Sequence, residues 1–344
     1  MQEITKNLYL DREELKGLVA GYIDDDKGYI SRVIPAINGD MNLSETGTSY
    51  GGFYWSMTPE TFFAQAGHIG DIGWGQDYPR LNQGELEHTP FFTKKFAQSV
   101  LVSKESLRVP PVKMLNKVGK SLLQLRSVVR GMAEREVVSL LTTAANWTNK
   151  STSAHSWSTT GDPVSDISTA IDKVAELAEP DTIILGRAAF RALLDNKAWN
   201  ETRPYGDDRA TSLSKPGQQL NELRPDQLDY LKEMIARRFG LKQCIFATAR
   251  WNASPTKATT TIANQFGDNC WIGRVGEFSE MDVINNEGGF EISPRAFFKA
   301  AAGDIEFEED WHLGKVELGA SQHVGFKIVD DRIGYLIQKC AATS

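Results

Sequence analysis

The sequence has no cysteine pairs, no long apolar run and no basic cluster, and each absence removes a class of protein. Cys244, Cys270 and Cys340 are odd in number, far apart and set in the apolar contexts QCIFA, NCWIG and QKCAA. That excludes a disulfide framework and any CxxC or Cys/His metal motif, and buried free thiols in a reducing compartment are expected. No stretch of about 18 apolar residues is present, and MQEITKNLYLDREELK has no apolar signal region, so a soluble intracellular product with no membrane partner is expected. With 38 Lys and Arg against 45 Asp and Glu, the net charge of −7 argues against a dedicated nucleic-acid binder, which needs clustered cations to neutralise phosphate.

Catalytic motifs are missing too. His68, His88, His155, His312 and His323 are scattered, none with a second His or Cys at ligand spacing. GHIGDIGWG repeats glycine but does not join a strand to a helix, and no GxSxG or Walker pattern occurs. The adjacent acids Glu308-Glu309 and Asp330-Asp331 read as solvated charges in strand or turn. The sequence therefore offers no catalytic residue, no cofactor-binding residue and no metal ligand, and an enzyme is not expected.

What is present is length and contrast. The 344 residues suffice for about two ordinary domains, with enough apolar content for real cores. The chain is organised around Pro110 to Trp147, which opens on a Pro pair, contains no further Pro and runs into an Asn/Thr/Ser-rich stretch. Leu115, Val118, Leu122, Leu125, Val129 and Met132 alternate steps of three and four and form one stripe, which then drifts onto Val137, Leu140, Leu141 and Ala144. Such a helix is roughly 54 Å long, beyond the diameter of a small domain, and so works as a strut. The strict seam is too short for a coiled coil, which favours packing on a sheet. Gly119 and Gly131 each cost about 1 kcal/mol relative to Ala inside it, which suggests close packing or bending there.

Residues 1–44 are polar and mixed, with a helical patch from Asp11 to Tyr22, and read as an arm that packs on something else. Residues 45–90 interleave many glycines with Tyr50, Phe53, Tyr54, Trp55, Trp74 and Tyr78, a mixture suited neither to a long helix nor to a compact core. A long aromatic loop of this kind exposes apolar area unless another chain covers it. Phe92 to Val102 alternates as a strand leading back to the strut. Between 162 and 275, helices starting at Asp162-Pro163, Arg187 and Pro225 alternate with apolar strands at 181–185, 241–248 and 270–275, which indicates a mixed α/β unit. The tail from Asp304 alternates again, and His323 to Ile337 reads as a β-hairpin turning at Asp330-Asp331-Arg332.

This order of elements resembles the major capsid proteins of tailed bacteriophages, the Hong-Kong-97-type fold. The resemblance is carried by SVLVSKESL (Ser99 to Leu107), DPVSDISTAIDKV (Asp162 to Val174), TIILGRAAFRALL (Thr182 to Leu194) and HVGFKIVDDRIGYLIQKC (His323 to Cys340). It implies an α+β chain divided into an N-arm (1–44), an extended E-loop β-hairpin (45–102), a peripheral domain with a spine helix (103–161), an axial α/β domain (162–303) and returning peripheral strands (304–344). It also implies a shell of pentamers and hexamers around double-stranded phage DNA, bound without sequence specificity, with the virion capsid as the location and the host cytoplasm as the place of assembly. Phe53, Tyr54, Trp55, Trp74, Tyr78 and Arg80 of the E-loop would contact neighbouring subunits, and Leu115, Val118, Leu122, Leu125, Val129 and Met132 would pack the spine. A portal protein, a separate scaffolding protein and a cement or decoration protein are the implied partners. Scaffolding is assigned to a separate protein because the E-loop begins near residue 45, and noncovalent cohesion is expected because no lysine lies between Lys27 and Lys94. Two other readings stand beside this one: an encapsulin-like shell around cargo enzyme, and a soluble α/β enzyme with an aromatic lid.

Overall fold

A computed structural model describes residues 28–34, 36–37, 42–43, 50–56, 87–103, 111–153, 156–158, 161–196, 199, 225–252, 262–276, 295–312 and 315–341. The first described elements are a helical turn α1 (Ile30–Val33), the short strands β1 (Ala36–Ile37) and β2 (Asn42–Leu43), then β3 (Tyr50–Ser56), β4 (Glu87–Phe92) and β5 (Lys94–Ser103). The long helix α2 (Pro111–Thr142) leads to β6 (Asn149–Thr152), α3 (Pro163–Ala175), β7 (Thr182–Gly186), α4 (Arg187–Asp195) and α5 (Pro225–Arg238). Strands β8 (Gln243–Ala247), β9 (Arg250–Asn252), β10 (Ile262–Asn264), β11 (Cys270–Gly273), β12 (Phe297–His312), β13 (Lys315–Ile328) and β14 (Gly334–Gln338) complete the order. The predicted helical patch from Asp11 to Tyr22 lies outside the described residues.

Helix α2 begins at Pro111, where a missing N–H costs nothing because the first turn has no intrahelical acceptor. At its far end the orphan carbonyls are met by side chains that follow in sequence. Asn146 Nδ2 donates to the Leu140 carbonyl (2.8 Å) and Trp147 Nε1 to that of Leu141 (3.0 Å). The 32-residue helix is about 48 Å long and has two different partners along its length. Its first half buries Val118, Leu122, Leu125 and Val129 against Ile305 and Phe307 of β12 and Val316, Leu318 and Ala320 of β13. Its second half buries Val137, Val138 and Leu141 against Ile184, Ile245, Trp271 and Leu336 of a second sheet. At roughly 100° per residue, Leu141 lies about 100° round the helix from Leu122, so the drift of the apolar stripe marks the passage from one sheet to the other.

The first of these sheets has the order β1-β12-β13-β5, with β12 and β13 an antiparallel hairpin whose register shifts between Ala302 and Glu306. Strand β5 pairs with β13 from Lys94↔Val324 to Ser103↔Lys315. The second sheet has the order β6-β14-β11-β7-β8, and β11 runs antiparallel to both neighbours. Both of its faces are covered. Ile183, Leu185, Cys244, Phe246, Cys270, Ile272 and Ile337 share a core with residues of α3, α4 and α5, while Ile184, Ile245, Trp271 and Leu336 turn towards α2. Two covered faces explain why these strands read as continuous apolar runs rather than as alternation.

Local signals in the sequence act as expected at several ends. Asp162 Oδ1 accepts from Val164 N and Ser165 N (both 3.1 Å) and caps α3, whose Pro163 fills the first turn. Gly240, with φ +67°, takes the left-handed position just beyond α5. The tail differs from its predicted hairpin. Beyond the turn at Asp330, β14 does not return along β13. It leaves for the second sheet, antiparallel to β11 and parallel to β6. The physical reason is the apolar content of GYLIQ: Leu336 and Ile337 are fully buried on opposite faces, which a half-exposed hairpin cannot provide. Gly334 makes this possible, because a side chain there would collide with the Trp147 ring.

Residues 28–37 cross between the two sheets. The Gly28 carbonyl accepts from Thr248 N (3.2 Å), Ile30 and Ile34 are buried in the α2 core, and β1 pairs in parallel with β12. The arm predicted to pack on something else thus packs, over this stretch, on its own chain.

Candidate functional site

Within and just beyond the aromatic segment 45–90 two strands pair. Strands β3 and β4 pair antiparallel from Gly51↔Phe92 to Ser56↔Glu87, with β2 added at Asn42↔Gly51. Phe53, Tyr54 and Trp55 therefore lie on a strand, in register with Pro90, Thr89 and His88. Trp74, Tyr78 and Arg80 lie outside the described residues. The base of the hairpin is tied to the first sheet: Phe91 is buried edge-on against Phe298 of β12, ring centroids 5.3 Å apart, while the next residue, Phe92, is 65% exposed. A large apolar residue exposed beside this strand pair suits a surface that another chain covers.

Of the predicted spine residues, Val118, Leu122, Leu125 and Val129 are brought together in one core with β12 and β13. Met132 is half-buried, and Leu115 is described only as part of the helical backbone. Gly131 does not serve close packing, since a Cβ built on it meets nothing within 4 Å.

The residue that the sequence pattern did not single out is Glu134. Its side chain is fully buried, and its two oxygens accept from Ile30 N and Ser31 N, each at 2.8 Å. The carboxylate thereby ties the 28–37 stretch to the long helix. A signal was present: Glu134, Val137, Val138 and Leu141 follow the three-and-four spacing of the second stripe, which places the acid inside it. Asp181 is a second buried anchor. Its Oδ1 accepts from Val275 N (2.9 Å) and Thr182 Oγ1 (2.7 Å), and its Oδ2 from Gly276 N (2.7 Å), fixing the chain where β11 ends.

Both carboxylates hold backbone, which is a structural use of charge. Among the described residues no three His, Cys, Asp or Glu side chains are placed to share a metal ion. The three cysteines are free and buried. Burial pushes the Cys244 thiol up to about 12 and raises Cys270 and Cys340 as well, the opposite of what a nucleophilic thiol requires. His323 is held below its ordinary value by burial and by Lys95, with Glu306 opposing. No described helix is long and apolar enough to cross a membrane.

A long helix lying on a four-stranded sheet, a mixed five-stranded sheet flanked by helices, and the antiparallel pair β3–β4 beside them make this an α+β fold of the Hong-Kong-97 type. Among solved structures, the chain is similar to a phage-related protein from Bordetella bronchiseptica RB50, with a TM-score of 0.62 and 17% identity over 97% of this chain and 99% of that one. The capsid of cyanophage P-SCSP1u aligns at a TM-score of 0.49 and 12% identity, covering 98% and 94% of the two chains. A virus-like particle from Pyrococcus furiosus aligns at 0.48 and 9%, covering 95% and 97%. No protein-family model and no curated protein sequence matches the chain.

Proposed function

We propose that this chain is the major capsid protein of a tailed phage, assembling as pentamers and hexamers into an icosahedral shell around double-stranded DNA. The observation that carries the reading is the fold match with the Bordetella phage-related protein, which spans nearly the whole of both chains. In this reading 1–44 is the N-arm, 45–102 the E-loop, 103–161 and 304–344 the peripheral domain, and 162–303 the axial domain. Strand β14 of the returning tail then completes the axial sheet. Phe53, Tyr54, Trp55, Trp74, Tyr78 and Arg80 are the E-loop residues proposed to contact neighbours, which would bury the exposed root as well as the tip. Scaffolding, portal and cement proteins are the proposed partners, with assembly in the host cytoplasm and the virion as destination.

Electron microscopy of the full chain, expressed alone and with its neighbouring gene products, tests this. Closed shells that protect DNA from nuclease are expected, and replacing Trp55 and Trp74 by Ala should stop closure without unfolding the subunit. Shells that carry an enzyme instead of DNA would transfer the reading to a cargo compartment. A monomer that binds a small ligand saturably would overturn it.

A further inference from the structure

The second sheet gathers arginines at one end. Strands β7 and β8 are parallel, with Gly186 level with Ala247, so the start of α4 and the chain just beyond β8 leave the sheet side by side. That brings Arg187, half-buried, and Arg191, exposed one turn further along α4, towards the exposed Arg250. The three guanidinium groups act on one another: Arg187 is held below its ordinary value, by burial first and then by Arg250 and Arg191. Two carboxylates stand in the same region among the described residues. Asp195 lies 3.6 Å from Arg191 Nε across an exposed turn, a pair that offsets little, and Asp268 belongs to the turn whose Asn269 carbonyl accepts from Gly186 N. In a chain of net charge −7, this corner reverses the prevailing sign.

The other end of the same strands is where a run of acids leaves the sheet. Strand β11 is antiparallel to β7 and ends at Gly273, level with Thr182, about 14 Å from the Gly186 end. The described chain stops at Gly276 and resumes at Arg295, and Ala296 N donates to the Arg274 carbonyl, so residues 277–294 depart and return at one point. Their sequence holds Glu277, Glu280, Asp282, Glu287 and Glu291 and no Lys, Arg or His. The described cations at that end are Lys173, paired with Glu176 at 2.7 Å, Lys242, Arg274 and the buried Arg295, which leaves carboxylates in excess.

We infer that residues 277–294 of one subunit dock on the corner formed by Arg187, Arg191 and Arg250 of the next, head to tail around each ring of copies. This rests on the capsid reading, which supplies the ring. To meet its own arginines the acidic stretch would have to turn back along the whole of β7, because it departs from the opposite end of the strand. In a ring the same two ends meet without that reversal, since each copy presents its acidic end to the arginine end of its neighbour and the contact repeats until the rotation closes. Charge here sets order more than strength. Exposed ion pairs each contribute little, but arginine corner against arginine corner, or acid against acid, is repelled, so head-to-head pairing is disfavoured.

Two measurements on the full chain test it. Arg191→Glu with Arg250→Glu should raise the subunit concentration at which shells form about tenfold, and Glu280→Lys with Asp282→Lys should do the same. All four changes in one chain should bring that concentration back towards its original value, with urea midpoints checking that each variant folds. Separately, Arg250→Lys keeps the charge and gives a carbodiimide an amine to join to a carboxylate. Shells are assembled from equal parts of ordinary and heavy-nitrogen chains of this variant, crosslinked and digested. Products joining position 250 to residues 275–295 should contain both isotopes, and this readout decides alone should the reversed-charge variants fold poorly. Shells in which those products are missing or carry a single isotope, or an unaltered assembly concentration in both folded double variants, overturn the inference while leaving the capsid reading in place. An unaltered chain that stays monomeric at every concentration rejects both.

Discussion

Replacing Glu134 by Ala tests whether one buried carboxylate fastens the 28–37 stretch to the long helix. The carboxylate holds two backbone N–H groups at 2.8 Å, and hydrogen bonds to a charged acceptor contribute about 1.5–3 kcal/mol each. Loss of both would cost about 3–6 kcal/mol if the stretch stayed in place with its donors buried. It has an alternative, which is to detach and give those donors to water. Detachment exposes Ile30 and Ile34, now 0% and 2% accessible, at roughly 1.5–3 kcal/mol each. The two routes are comparable, so Glu134→Ala should destabilise the subunit by about 3 kcal/mol. Amide exchange at Ile30 and Ser31 should accelerate more than at Leu122, in the other half of the helix. Glu134→Gln keeps one acceptor oxygen and should cost about half as much. Urea denaturation with hydrogen exchange resolved by residue decides the matter. If exchange at Ile30 and Ser31 is unaltered in Glu134→Ala and stability moves by less than about 0.5 kcal/mol, the carboxylate is not the fastening.

Gly131→Ala should stabilise the subunit by about 1 kcal/mol, because the helix gains propensity and the new methyl meets no neighbour; a lower midpoint in urea would show that the open space is needed. Asp181→Ala removes the acceptor of Val275 N and Gly276 N and should cost about 2–4 kcal/mol, with faster exchange at those two amides and not at Ile30. Alkaline pH should weaken the fold through Cys244. Below about pH 9 the thiol is protonated whether the chain is folded or not, and between there and about pH 12 only the unfolded chain releases its proton. Stability thus falls as pH rises through that window, by about 1.4 kcal/mol per pH unit for one such thiol. Cys244→Ala should show a shallower alkaline decline in urea midpoints measured at about pH 8 and about pH 10.5, and an identical decline would refute the assignment.

Elements whose signals are local were legible in the sequence. Pro111, Asp162 with Pro163, and Gly240 mark helix ends through backbone chemistry that needs no partner, and the structure places ends where they fall. The four inward residues from Val118 to Val129 follow from periodicity alone. Pairing was less legible, because a strand's sequence records how many of its faces are covered and not which neighbour covers its edges. Strand β14 shows this: Leu336 and Ile337 call for two covered faces, but nothing in GYLIQ names β11 and β6 as the neighbours at its edges. Glu134 carried a signal in its spacing, but its residue type spoke against burial. In the run AEREVV an acid beside an arginine looks like ordinary surface charge, and its burial depends on Ile30, 104 residues away. The pairing of β3 with β4 was not legible either, because glycine and aromatic composition does not disclose which residues pair.

The connection between the two cores has a mechanical consequence. Helix α2 passes from one core to the other, and so does β12, with Phe297 in the core of the second sheet and Ile305 and Phe307 in that of the first. Two stiff members spanning the same gap behave as the flanges of a girder, resisting flexure far better than either does alone. Each is weakened within the gap, the helix by Gly131 and the strand by its register shift between Ala302 and Glu306. Load applied across the subunit is therefore taken up at one level in both flanges, and any flexure between the two cores is concentrated there.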